Sequence, residues 1–251
     1  MNSRPAILVT GGARRIGAAI VRRFAAENWH VVIHCRDSAE EAEALASVLP
    51  SAEVVRCDLA DGAAAVTMVE ALAARLDDWR ALVNSASVFR ADDVAALDPA
   101  TFTEAMQVNA ATPAAMAQAY LRRARSQAGR RVIQLTDQKI ANPNPDFFSY
   151  TMSKHALAAT VPMMAMASAP DDRVYALAPG AILASHDQAP EEAEVSHRMN
   201  LLKRRTSADE VADAAWFLAT GQLASGQTLF VDSGQHLLSQ PRDVMFLARG
   251  E

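Results

Sequence analysis

Ala6-Ile7-Leu8-Val9-Thr10-Gly11-Gly12-Ala13-Arg14-Arg15-Ile16-Gly17 is the stretch that decides the fold. Its first four residues are apolar without alternation, the pattern of a strand buried on both faces. A glycine-rich turn follows, and then Ile20, Val21, Phe24 and Ala25 recur at helical spacing up to about Asn28. A glycine pattern placed between a strand and a helix points to phosphate binding. The helix N-terminus there offers free N–H groups and the positive end of its dipole to a pyrophosphate. The turn alone would also suit an ordinary βα connection, so the next strand matters. Glycine is scarce in this chain: of ten, three (Gly11, Gly12, Gly17) fall in this loop, so glycine stands where the backbone needs it.

The next apolar run, residues 30–35, ends at Arg36. In dinucleotide-binding βαβ units this end meets the adenosine ribose, where a carboxylate suits a free 2′-hydroxyl and an arginine a 2′-phosphate. Arg36 and Arg14 therefore suggest NADP(H), provided that Asp37 turns away from the phosphate. The plain alternative for Arg36 is a solvated turn charge. Further units follow: a helix over 38–49, a strand over 53–57 ending at Asp58-Leu59, a helix from its cap Asp61 to Leu76, and a strand over 81–83 ending in Asn84-Ser85-Ala86-Ser87-Val88-Phe89. Pro99 opens one long helix through Asn109 to about Arg125. Residues 130–135 form the fifth strand, 174–178 the sixth, turned by Pro179-Gly180, and 228–231 the last; Ser207 caps a helix to Ala219. The alternation predicts a single domain over 1–251 with the α/β class fold, a doubly wound parallel sheet of about seven strands with helices on both faces. Ligands in such sheets bind at the carboxyl ends of the strands. Gly12, Arg36, Asp58, Ser87 and Asp137 share that edge.

A second stretch, Tyr150-Thr151-Met152-Ser153-Lys154, carries chemistry. Tyrosine and lysine four apart lie on one helix face, and Asp137 precedes the tyrosine by thirteen residues. A phenol titrates near ~10 in its reference state. A neighbouring ammonium lowers that value and makes Tyr150 a usable general acid. An aromatic pocket should raise Asp137; the bland reading of Asp137 is a loop cap. The helix over 148–169 is apolar nearly all round (Met152, Ala156, Leu157, Val161, Met163, Met164, Met166). One face should pack on the sheet, and a partner subunit is the simplest cover for the other. Pro162 should kink or break it. The polar stretch around 183–206 is expected to be a mobile substrate lid, with a solvated excursion as the alternative.

Several function classes are excluded. Net charge is −5 with no lysine- or arginine-rich block, so nucleic acid is not an expected partner. The longest uncharged apolar stretch has fifteen residues and contains Pro162, short of the roughly 20 that span a bilayer. The N-terminus runs straight into a strand without an apolar leader, and the only cysteines are Cys35 and Cys57. Both features lead us to expect a cytoplasmic protein. No metal site is expected.

Motifs in this order resemble the short-chain dehydrogenase/reductase family from end to end. The carrying residues are Thr10-Gly11 to Gly17, Asp58, Asn84-Ser85-Ala86, Asn109, Tyr150 with Lys154, Pro179-Gly180 and Val231-Asp232-Ser233-Gly234. Three departures resemble one branch, the pteridine and bacterial dihydromonapterin reductases. Arg15 replaces the usual glycine, Ser85-Ala86-Ser87 the usual Asn-Ala-Gly, and Asp137 the usual serine; Phe89 and Gly234-Gln235-His236-Leu237 also fit the branch, while Ser85 differs from its asparagine. The resemblance implies an NADP(H) site made by Gly11, Arg14, Arg15, Ile16, Gly17, His34, Arg36, Asp58, Leu59, Asn84, Ser85, Ala86, Lys154, Pro179, Gly180 and Ile182. It implies catalysis by Asn109, Asp137, Tyr150 and Lys154, with the lysine on the nicotinamide ribose and Asn109 holding a water between lysine and solvent. It implies a pterin lying between the nicotinamide and Phe89, bound also by Arg15, Ser87, Asp137 and Tyr150. Family habit is a homotetramer.

Asp137 carries the substrate argument. A serine can only steady a carbonyl oxygen, whereas a carboxyl group can feed a proton to the tyrosine, as reduction of a ring C=N requires. The expected function is NADPH-dependent reduction of a dihydropterin to a tetrahydropterin. The alternatives are reduction of another ketone or imine, with Asp137 incidental, and a catalytically silent dinucleotide sensor. The complete Asn109–Tyr150–Lys154 set argues against the sensor.

Overall fold

The structure is a computed structural model that describes residues 4–184 and 188–250. Its strands are β1 (Ala6–Val9), β2 (His30–Cys35), β3 (Ala52–Arg56), β4 (Trp79–Asn84), β5 (Arg131–Leu135), β6 (Arg173–Pro179) and β7 (Thr228–Val231). They form one parallel sheet in the order β3-β2-β1-β4-β5-β6-β7. The chain moves outward from β1 through β2 to β3, then returns to the other side of β1 with β4. This reversal opens a crevice at the carboxyl ends of β1 and β4.

Strand alternation sorts β1 between two core layers. Ile7 and Val9 pack with Ile20 and Phe24 of α1 (Arg15–Ala26) and with Val211 and Leu218 of α8 (Ala208–Thr220). Ala6 and Leu8 face the opposite layer, with Val69 and Leu72 of α3 (Gly62–Arg75) and Met116 and Tyr120 of α5 (Thr112–Arg123). Every β1 side chain is buried, as the unalternating run predicts. The sequence caps also hold: Asp61 accepts from the Ala64 N–H, and Ser207 and Glu210 form a reciprocal capping box.

The expected long helix through Asn109 is three pieces. α4 (Pro99–Met106) leads into a five-residue π-turn, Gln107–Ala111, before α5. Pro113 has no N–H to give the carbonyl of Asn109, four residues earlier, so regular α-geometry cannot be completed there. Pro162, by contrast, does not break α6 (Phe148–Ala167). The carbonyl it deprives, that of Ala158, belongs to a half-exposed residue. Leu157 and Val161 of α6 are buried while Met163 and Met166 are exposed, so one side packs inward and the other stays open. Within the polar stretch, α7 (Pro190–Ser196) forms; Ser185, His186 and Asp187 lie outside the described residues. The sequence reading missed α9 (Val244–Arg249).

Candidate active site

The crevice is a cleft of about 700 Å³ along the carboxyl edge of the sheet. Of the sequence-predicted site residues it gathers Gly11, Arg14, Arg15, Ile16, Gly17, His34, Arg36, Asp58, Leu59, Ser85, Ala86, Ser87, Phe89, Asp137, Tyr150, Lys154, Pro179, Gly180 and Ile182. Asn84, Asn109 and Gly12 are not in the lining. Asn84 is buried below it, donating to the Pro113 carbonyl and to Gln134 Oε1. Asn109 is also buried, its side chain bonded to the Val88 backbone, to Ser153 Oγ and to Ser87 Oγ. Both side chains are struts under the cleft. A Cβ on Gly12 would meet the Val9 carbonyl and two core side chains, so this glycine serves packing.

The glycine loop is held from several sides. Gly11 has φ +62°, and a Cβ there would press on Ala86. Its N–H donates to His34 Nδ1 at 3.2 Å, while His34 Nε2 lies 3.0 Å from the Cys57 carbonyl. Nδ1 therefore accepts and Nε2 carries the proton. Burial lowers this imidazole to about 4, which keeps it neutral in that role. Thr10 Oγ1 accepts from the N–H groups of Ser85 and Ala86, which ties the ends of β1 and β4 together. A Cβ on Gly17 would collide with the Gly11 carbonyl oxygen. At the outer end, Arg14 pairs with Glu41 of α2 (Ala39–Ser47), and Arg36 Nε donates to Asp37 Oδ2 at 2.6 Å. Asp37 does not turn away from the arginine; it rests on it.

Arg15 has φ 54°, left-handed backbone that favours glycine. The loop keeps the glycine conformation while carrying a long side chain, at a cost of about 1–2 kcal/mol. Strain held at such a place points toward function. The guanidinium donates to the carbonyls of Ala184 at 2.9 Å and Leu183 at 3.2 Å, joining the glycine loop to the segment after β6.

At the far end Tyr150 Oη donates to Asp137 Oδ2 at 2.7 Å. The other carboxylate oxygen accepts from the Lys139 N–H at 2.9 Å and caps the turn Gln138–Ile140. Asp137 is thus both the loop cap and the tyrosine's partner. Burial pushes its carboxyl above the usual range. The Tyr150 phenol is also pushed well above its ordinary value, first by burial and then by the Asp137 charge. This reverses the sequence expectation that Lys154 lowers it. The Lys154 ammonium donates to the Leu135 carbonyl at 2.7 Å and sits 5.5 Å from the tyrosine ring centre, while a carboxylate touches the hydroxyl itself. Burial lowers Lys154 to about 8. Beside this pair, Phe89 is partly exposed, stacked on Phe147 at 4.1 Å and edge-on to Tyr150 at 4.7 Å. Phe147 takes one face of the ring that the sequence reading assigned to a ligand.

The family model described as "Enoyl-(Acyl carrier protein) reductase" matches residues 11–236. The chain belongs to the short-chain dehydrogenase/reductase family. A protein of Streptomyces violaceoruber named as a granaticin polyketide synthase ketoacyl reductase is 32% identical over 246 residues, 93% of this chain and 97% of the relative. The dihydromonapterin reductase of Citrobacter koseri is 27% identical over 233 residues, 92% and 96% of the two chains. Among solved structures, FolM alternative dihydrofolate reductase 1 of Brucella canis, complexed with NADP, superimposes with a TM-score of 0.89 at 36% identity, covering 96% of this chain and 97% of that one.

The short-chain dehydrogenase/reductase cleft includes side chains that sequence reasoning missed. Lys139, His197, Gln235, Asp243, Val244 and Met245 all line it. Gln235 Oε1 accepts from the Ala181 N–H and steadies the turn after Gly180. Asp243 followed by Val244, Met245 and Phe246 carries a readable helix-cap pattern. Its place beside the tyrosine depends on the tertiary path. Among the described residues no helix is long and apolar enough to cross a membrane, and no cluster of His, Cys, Asp or Glu is arranged to hold a metal.

Proposed function

We propose that the protein reduces dihydropterins to tetrahydropterins with NADPH. The part-buried Asp137–Tyr150 hydrogen bond carries this reading. In this reading both groups are protonated when substrate is bound, two acids in series at one point of the cleft, and burial raises both toward that state. Tyr150 gives its proton to the ring nitrogen, and the Asp137 carboxyl restores it. One carbon–nitrogen double bond thereby gains a hydride at carbon and a proton at nitrogen. The serine usual to the family could not supply the second proton.

The residues present fit the cofactor. Gly11 and Gly17 let the loop fold tightly on itself where a Cβ would clash, and the loop leads into the N-terminus of α1, which would face the pyrophosphate. Arg14 and Arg36, which line the outer end of the cleft, would hold the 2′-phosphate, and Lys154 would reach the nicotinamide ribose. When bound, the cofactor supplies the hydride. Arg15, Ser87 and Phe89 would hold the bicyclic ring, with residues 183–206 as its cover. The names of the dihydromonapterin and dihydrofolate reductase relatives support this reading, as does the NADP in the Brucella structure. The exposed methionines of α6 suit a homotetramer.

The ketoacyl reductase relative favours a second reading, a ketone substrate. NADPH oxidation by the purified protein separates the two. Turnover with dihydromonapterin or dihydrobiopterin should far exceed turnover with simple ketones; the opposite ranking would establish the second reading.

A further inference from the structure

A lysine–aspartate ion pair lies next to the proton site, and the mechanism does not use it. Lys139, 3% exposed, directs its ammonium to Asp243 Oδ2 at 2.8 Å and to Asn144 Oδ1 at 2.9 Å. Its backbone N–H is the one that holds Asp137. Asp243 Oδ1 in turn accepts from the Met245 N–H at 3.0 Å and starts α9. One carboxylate therefore caps the C-terminal helix with one oxygen and fastens it beside Asp137 with the other. Met245 is buried against Tyr150 and Phe147, and Phe246 extends the stack at 5.9 Å from Phe147. Asp146 holds the approach by accepting from Arg242 Nε at 2.9 Å and from the Asp243 N–H at 2.7 Å. At its far end α9 reaches α7 through Arg249 and Glu192.

A lysine and an aspartate are costly to bury, and as a bare stability device such a pair is poor. What it does here is geometric. It fixes the only C-terminal segment among the described residues that touches the catalytic tyrosine. We propose that this segment, residues 240–249, is the outer wall of the substrate site, that Lys139 is the positioning residue that seats it, and that Met245 limits the size of what can stand beside Tyr150. The inference rests on Tyr150 as the proton donor in the reading above, and not on the pterin.

The assay first takes whichever of dihydromonapterin, dihydrofolate, a cyclic imine or a cyclic ketone the wild-type enzyme reduces with NADPH. Failure of the pterins in this first step refutes the proposed function and leaves the wall testable with the remaining compounds. Lys139→Met should raise KM for that substrate, or lower kcat/KM, by about tenfold or more, since sub-ångström placement near reacting atoms carries effects of that size. KM for NADPH should stay unchanged, and Lys139→Arg should recover most of the loss. Met245→Ala should shift kcat/KM toward the bulkier member of any active pair, dihydrofolate over dihydromonapterin for example. Hydrogen–deuterium exchange supplies a readout independent of turnover: Lys139→Met should speed exchange in 243–249 and leave the glycine loop as it is. Unchanged substrate kinetics and selectivity in both Lys139→Met and Met245→Ala, or unchanged exchange in 243–249, overturns the proposal.

Discussion

Replacing Asp137 by asparagine isolates the proton function from the architecture. The amide oxygen can still accept from the Lys139 N–H, which the carboxylate now does at 2.9 Å, so the turn keeps its cap. The amide cannot give a proton to a phenolate. Tyr150 would then have to regain its proton by another route. A positioned general acid contributes roughly 10²–10⁴-fold, and the loss of Asp137 should cost kcat that much for a dihydropterin. The same range corresponds to about 3–5 kcal/mol of transition-state stabilisation. KM for NADPH should barely move, because Lys154 and the glycine loop remain. Folding stability should change by about 1 kcal/mol or less, since a buried carboxyl is exchanged for a neutral group of equal size that keeps the cap. Steady-state NADPH oxidation across pH, with chemical denaturation in parallel, reads all three quantities. A variant that keeps kcat within about threefold of wild type would refute the reasoning, because no general-acid step could then run through Asp137.

Other expectations follow from single contacts. Arg36→Ala should erode the preference for NADPH over NADH by about tenfold or more, from the loss of charge-assisted bonds to a phosphate; competing kcat/KM values for the two cofactors decide it, and an unchanged ratio would misplace the phosphate site. Asp37→Asn should act the other way and tighten NADPH, because Arg36 would no longer share its charge with a carboxylate at 2.6 Å. Gly17→Ala should abolish cofactor binding and lower stability by about 1–3 kcal/mol, because the new methyl group meets the Gly11 carbonyl; calorimetric titration with NADPH and a melting curve check it. Lys154 should shape stability with pH. Burial lowers it from 10.5 to about 8, so between those values the unfolded chain binds more protons than the folded one. The cost of burying its charge is present below pH 8 and is relieved as pH rises through that window, by up to about 3 kcal/mol. Urea unfolding of wild type and Lys154→Met at both ends of the window should show the rise in the wild type alone.

Arg15 shows how a departure from a family pattern gains meaning from structure. In sequence it is a substitution of a glycine. In three dimensions it is a left-handed arginine whose guanidinium reaches two carbonyls after β6, so the strain and the contact are parts of one feature.

The amino-acid sequence by itself determined the sheet, most of its helices and its ligand-binding edge. Unalternating apolar strands, helical spacing and caps at Asp61 and Ser207 are local patterns, and each acts within one or two turns of chain. It also placed Tyr150 and Lys154 together, because two side chains four apart on one helix keep their spacing wherever the helix goes, whereas Asp137 meets them only through the fold. Tertiary structure alone decided the rest. Asn84 and Asn109 became struts because their amides meet Gln134, Val88 and Ser153, partners far along the chain. Tyr150 is shifted upward because the fold buries the phenol and sets Asp137 against its hydroxyl, while Lys154 turns to the Leu135 carbonyl. The wall around Met245 depends on a contact between Lys139 and Asp243, more than a hundred residues apart in sequence, and no periodicity or motif reports an ion pair closed over that distance.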